Sequence, residues 1–203
     1  MGIVVAIIAQ GTMGAGVGKR LNESGATVRT LLSGRSEKSA ERARDAGMQA
    51  MADERALLDG ADFFLSILPP GEGENLAARL VPALSALAAK PVYVDCNAVS
   101  PQTAQRIAAT IAPSGAEFVD AGIIGGPPRP GYSPHIYAAG PAVAQTAVLR
   151  DWGLDWRPID GPIGAASGLK MSYAGITKGT TAIAAAMLLG AARFGCGAAL
   201  IAE

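Results

Sequence analysis

The chain opens with an apolar, largely β-branched run, Ile3–Ala9, that passes directly into Gln10-Gly11-Thr12-Met13-Gly14-Ala15-Gly16-Val17-Gly18. A short apolar run bounded by small turn residues predicts a strand buried on both faces. Comparable runs recur at Thr27–Ser33, Asp62–Leu68, Val92–Cys96, Ala116–Asp120, Ile136–Ala139 and Leu154–Pro158. Helix-like segments separate several of them, at Met13–Ser24, Glu37–Ala46, Asn75–Ala89 and Pro101–Ala112. Alternation of this kind predicts right-handed βαβ units on a mostly parallel sheet.

From about Ala165 the pattern changes to one long helix, Ala165–Leu189, spanning roughly 37 Å at 1.5 Å per residue. Its second half, Ala182-Ile183-Ala184-Ala185-Ala186-Met187-Leu188-Leu189, is apolar all round, as in a helix surrounded by other protein. The segment 190–203 that follows is too short to surround it, which predicts a partner's matching helix as cover and hence a homodimer. The longest irregular stretch is Gly122–Pro134, rich in proline and glycine. Irregular loops at the carboxyl ends of strands are where ligands sit in open α/β sheets.

The first strand, turn and helix carry the chemistry. A parallel strand that stops at a glycine turn and enters a helix directs the helix's unpaired N–H groups and dipole at a pyrophosphate. The dinucleotide pattern G-x-G-x-x-G appears here as Ala9-Gln10-Gly11-Thr12-Met13-Gly14, with the first glycine replaced. Gly11 lets backbone approach the phosphates and Gly14 lets helix pack on strand, while Gln10 and Thr12 complete the cofactor turn and Met13 is a core or cofactor-wall residue. The fold class that follows is α/β, a Rossmann-type, doubly wound, mostly parallel sheet followed by a long interdomain helix. At the end of the second strand an NAD enzyme usually places an acidic residue, about 20 residues past the glycines. Here the segment reads Ser33-Gly34-Arg35-Ser36. Arg35 is suited to pair with a 2′-phosphate, aided by Ser33 and Ser36, which predicts NADP, with NAD as the alternative. The competing reading is a solvent-exposed turn.

With 203 residues, half of them hydrophobic, the chain can bury a substantial core. Formal net charge is zero and no long charged run occurs, so nucleic acid and anionic membrane are not expected partners; a small-molecule substrate is. Cys96 and Cys196 lack metal-ligand spacing and His135 is the sole histidine, so neither a metal site nor a disulfide framework is expected. The cytoplasm suits this cysteine usage. Ile3–Ala9 lacks a basic flank and reads as a strand, not a signal peptide. Ala182–Ala192 is about half the roughly 20 residues a bilayer span requires.

In this order the segments resemble the β-hydroxyacid dehydrogenase superfamily, which includes 3-hydroxyisobutyrate and 6-phosphogluconate dehydrogenases. The resemblance is carried by Gly11, Met13 and Gly14 in the cofactor turn and by Ile67-Leu68-Pro69, which matches a Leu-Pro pair near the nicotinamide. It continues through Asp95-Cys96-Asn97-Ala98-Val99-Ser100-Pro101, the loop Asp120-Ala121-Gly122-Ile123-Ile124-Gly125-Gly126, and Gly168-Leu169-Lys170. It implies an NAD(P)-binding Rossmann domain at residues 1–164, with 165–203 opening an all-helical domain whose remainder this chain lacks. It further implies hydride transfer between the nicotinamide and a hydroxy acid or carbonyl. Lys170 corresponds to the family's catalytic lysine, Leu68, Pro69 and Asn97 fall at the cofactor, and Gly125 and Gly126 offer N–H groups to substrate. The family's loop serine is Ile124 here and its asparagine after the lysine is Ala174; Tyr173, three residues from Lys170, is a candidate substitute on the substrate side.

Plainer readings stand beside these. Lys170 is also readable as a solvated lysine at a helix start, Gly125-Gly126 as a simple turn, and Ser100-Pro101 as a helix cap. His135 is read as a local packing residue. Two other functions fit the same sequence: an imine reductase-like enzyme, against which Lys170 argues, and an NADP-binding module without turnover.

Overall fold

The computed structural model describes residues 2–203. An eight-stranded sheet forms its centre, built from β1 (Val4–Ile8), β2 (Thr27–Leu31), β3 (Gln49–Met51), β4 (Phe63–Ser66), β5 (Val92–Asp95), β6 (Phe118–Ile124), β7 (His135–Ala139) and β8 (Asp155–Pro158). The spatial order is β3-β2-β1-β4-β5-β6-β7-β8, and each neighbouring pair is parallel except β6 with β7. The helices are α1 (Thr12–Glu23), α2 (Glu37–Asp45), α3 (Glu54–Leu58), α4 (Gly73–Ala86), α5 (Pro101–Ile111), α6 (Ala165–Arg193) and α7 (Gly197–Ala202).

Strands buried on both faces account for the continuous apolar runs. On one face Val5, Ile7, Val94, Ala121 and Ile123 pack with Val17 and Leu21 of α1 and with Trp156. On the other, Ala6, Ile8, Phe64 and Tyr93 pack with Leu57 and Leu58 of α3, Leu76, Leu80 and Leu84 of α4, and Ile107 and Ile111 of α5. Helix starts are set by small polar caps: Ser36 accepts from Ser39 N at 3.3 Å, Asp53 from Ala56 N at 2.7 Å and Ser100 from Thr103 N at 3.2 Å.

The mostly parallel doubly wound sheet and the long helix agree with the sequence reading; several bounds do not. β3 and α3 are three and five residues long, too short for a periodic signal. β6 was expected at Ala116–Asp120 but runs on to Ile124, because antiparallel pairing with β7 carries the ladder to the Ile124–His135 pair. α6 continues past Leu189 to Arg193. As one helix it is long and apolar enough, by length and composition, to cross a membrane, with an 18-residue window of mean hydropathy 1.2, none of it buried. Ala182–Ala192, too short for a span by itself, is only part of this longer apolar helix.

Candidate functional site

The strand order reverses at β1, whose neighbours β2 and β4 lead away in opposite directions, and this is where a crevice opens in doubly wound sheets. Ala15 N donates to Gly11 O at 2.9 Å, so the N–H groups ahead of Ala15 have no acceptor within the helix, and no side chain caps them. They are free for an anion at the positive end of the α1 dipole. A β-carbon on Gly11 would meet nothing within 4 Å, whereas one on Gly14 would lie 1.8 Å from the Ala9 carbonyl oxygen. The open cradle at Gly11 and the contact at Gly14 fit a dinucleotide's pyrophosphate. Thr12 is exposed at the turn and Met13 is half-buried against the core.

Gln10 corrects the sequence reading. Its side chain is fully buried and donates to Thr30 Oγ1 of β2, which donates in turn to Ile7 O at 2.7 Å. Turned into the sheet, Gln10 braces the turn from below and offers a cofactor no side-chain group.

Ser33, Arg35 and Ser36 are exposed beyond β2. Arg35 shares a cavity of about 250 Å³ with Ile8, Leu68, Pro69, Glu72 and Arg79. Arg79 also pairs with Glu54 at 3.3 Å. Ser36 is committed elsewhere, its hydroxyl serving as the α2 cap; this accounts for a serine there without a ligand.

Asn97 is buried rather than turned to the crevice. Its Oδ1 accepts from Leu68 N at 2.6 Å, and its Nδ2 donates to Ser66 Oγ at 2.9 Å and to Asp95 Oδ1. With both amide hydrogens used, it is a strut that fixes the β4 exit and so places Leu68 and Pro69. Its expected cofactor contact is replaced by an indirect one.

The same side of β5 and β6 carries, in order along the strands, Tyr93 beside Phe118, then Asp95 beside Asp120, then Gly122. Asp120 is fully buried. Its Oδ2 accepts from Gly164 N at 3.0 Å and Ser167 N at 2.9 Å, and its Oδ1 from Ser167 Oγ at 2.6 Å. Gly164, with φ of 103°, occupies the left-handed region at the N-cap of α6. The carboxylate on β6 thus takes the capping role that this glycine cannot fill, and anchors α6 to the sheet. Burial, reinforced by the Asp120 charge, pushes the Asp95 carboxyl up to about 7, against the opposing interactions with Asn97 and Ser66. Burial likewise raises the Tyr93 hydroxyl and the Cys96 thiol.

Lys170 sits half-buried over this patch. A β-carbon on Gly122 would lie 2.9 Å from Ala166 O and 3.1 Å from Lys170 Cβ, so α6 crosses β6 in direct contact with the glycine. Desolvation holds the Lys170 amine below its ordinary value; Cys96 and Asp95 oppose this, and Lys178 adds to it. The sequence singled out Lys170 but missed what places it. A buried aspartate two residues before a glycine on an apolar strand was the available signal, since such a carboxylate must find donors.

Gly125 and Gly126 do not present a free pair of donors. Gly126 N donates to Tyr132 Oη at 3.2 Å, within a loop folded onto α1. There Arg20 Nη2 donates to Arg129 O at 3.0 Å and to Tyr132 O at 3.3 Å, and Pro128 lies over Gly16. Tyr173 is exposed on α6. His135 packs locally, 3.5 Å from Asp155.

A family model for the NAD binding domain of 6-phosphogluconate dehydrogenase matches residues 4–149. The chain belongs to this family. An uncharacterised 28.5 kDa protein of Methanothermus fervidus is 30% identical over 156 residues, 77% of this chain and 58% of the relative. The chain thus spans less than two thirds of that relative's length. A solved conserved protein of unknown function, described as structurally similar to 3-hydroxyacid dehydrogenases, superposes with a TM-score of 0.82 at 29% identity, covering 98% of this chain and 73% of its own. The fold is shared with Mycobacterium tuberculosis 3-hydroxyisobutyrate dehydrogenase (TM-score 0.80, 20% identity, 97% and 67% covered). An imine reductase from Myxococcus stipitatus in complex with NADP+ shares it too (0.76, 19%, 96% and 67%). The family match shows an NAD-binding domain, and these structures share its fold.

Proposed function

We propose that this chain acts as an NADP-dependent oxidoreductase of the β-hydroxyacid dehydrogenase type, interconverting a hydroxy acid and its carbonyl. The observation that carries this reading is the half-buried Lys170, seated on Gly122 beside the carboxyl ends of β5 and β6, with its amine held below its ordinary proton affinity.

A bound nicotinamide supplies hydride acceptance or donation. The chain's own residues do the rest. The first-turn N–H groups of α1 hold the pyrophosphate over Gly11, and Gly14 keeps the helix against β1. Arg35, with Arg79 across the same cavity, balances a 2′-phosphate. Leu68 and Pro69, fixed by Asn97, border the crevice at the β4 exit. Lys170 moves the remaining proton: neutral, it accepts from the substrate alcohol; protonated, it donates to the carbonyl oxygen. A lysine whose proton is easily lost is suited to both directions. The expected setting is a cytoplasmic homodimer closed through α6.

The test is NADPH and NADH consumption against a panel of small aldehydes, keto acids and imines, with cofactor binding measured separately. Turnover of a carbonyl acid supports the reading. Imine turnover alone, or binding without turnover of any substrate, overturns it.

A further inference from the structure

Asp95 and Asp120 are opposed in the β5–β6 register, and neighbouring strands lie about 4.8 Å apart, so two fully buried carboxyl groups stand side by side. They are served unequally. Asp120 takes three hydrogen bonds from the start of α6, whereas Asp95 has only Asn97 Nδ2 on its Oδ1 with Ser66 close by, and among the described residues its Oδ2 is buried without a partner. Two adjacent buried carboxylates each make the other's charge more costly, and the cost falls on the worse-served one, which raises the Asp95 carboxyl to about 7. The proton falls to Asp95. Gly122, two residues beyond Asp120 on the same face, carries Lys170.

We propose that Asp95 is a positioning residue of the Lys170 site, which sets the lysine's readiness to give up its proton according to whether Asp95 itself carries one. The proposal rests on the reading of Lys170 as the proton-transfer group. Protonated, Asp95 adds no negative charge beside the patch, and the amine gives up its proton readily. Ionised, it draws a proton onto Lys170, and by reciprocity Lys170 in its charged form favours ionised Asp95. The other titratable groups around Asp95 are Tyr93 on its own strand, Cys96 just beyond that strand and Asp120 on β6. β4 brings only Ser66, and Glu74 of α4 pairs with Arg106 of α5 at the surface.

The test needs no substrate. The lysines Lys19, Lys38, Lys90, Lys170 and Lys178 are labelled by ¹³C reductive methylation, and the Lys170 signal is assigned by its loss in Lys170→Arg. In the wild-type chain this signal should titrate in two steps, the lower one following Asp95. In Asp95→Asn, which replaces the neutral acid with a shape-matched amide, the lower step should vanish and the Lys170 midpoint should fall by about one pH unit. A single-step wild-type curve overturns the proposal even if the variant does not fold, and so does an unchanged midpoint in a folded Asp95→Asn. A purely structural Asp95 would alter melting without moving the lysine. Failure of the Lys170 reading itself shows separately, as turnover that survives loss of the amine.

Discussion

Gly122 of β6 lies directly beneath Lys170 of α6, so close that a single added carbon would stand 3.1 Å from the lysine's Cβ and 2.9 Å from the Ala166 carbonyl. The Asp120 carboxylate, two residues earlier, holds the first turn of that helix. Strand and helix are therefore locked at two points, the first turn of α6 and Lys170 itself.

Gly122→Ala forces α6 away from β6, since one of its close contacts is with backbone that cannot rotate aside. Overpacking of this kind costs about 1–3 kcal/mol. Thermal unfolding should shift downward by several degrees, and the Lys170 titration should move toward that of an exposed lysine as the helix lifts. A variant that melts like the wild type would show that the contact is loose.

Arg35→Ala tests the cofactor preference. Removing a charged hydrogen bond costs about 1.5–3 kcal/mol, so NADPH binding should weaken by roughly 10- to 150-fold while NADH binding changes little. Fluorescence titration with both cofactors reads the difference. Equal weakening would assign Arg35 no role in recognising the 2′-phosphate.

Much of this was legible in the chain because the strongest signals are local. The run from Val4 to Ile8 with the Gly11 and Gly14 turn fixes strand, helix and the space between them, and a buried β-branched strand has few other folds open to it. The side chains were harder to read, because their partners are distant in sequence. Gln10 looked like a ligand contact until Thr30 on the next strand claimed it, and Asn97 until Leu68 and Ser66 did. Asp120 and Ser167 lie 47 positions apart, beyond the reach of any periodicity. β3 carries no alternation, because its three residues at the sheet edge are two exposed and one half-buried.

Asp95 makes stability depend on pH in a definite direction. Its carboxyl is raised from 3.8 to about 7 in the folded chain, so between those values the folded state binds more protons than the unfolded one. Its contribution is fully present below about pH 4 and is lost as pH rises through 7, a change on the order of 4 kcal/mol. Asp155, lowered by its bond from Arg157, acts only below its ordinary range and does not mask Asp95 between pH 4 and 7. Urea unfolding across this interval should show stability falling in the wild type and nearly level in Asp95→Asn; parallel slopes would contradict the assignment.

The exposed face of α6 and α7 predicts association. Ile176, Ile183, Met187, Leu189, Phe194 and Ile201 are all more than half exposed, forming a larger apolar surface than a soluble monomer ordinarily carries. Light scattering at micromolar concentration should report a dimer or larger species, and Met187→Glu should shift it toward monomer. A monodisperse wild-type monomer would contradict this.

The most direct test of the whole account is Lys170→Met, assayed with NADPH and whichever substrate of the panel the wild-type chain turns over. If the half-buried amine moves the proton, turnover should fall by about 10²–10⁴ while NADPH affinity stays within a factor of about two. Turnover within tenfold of wild type would remove Lys170 from the chemistry and the reading built on it.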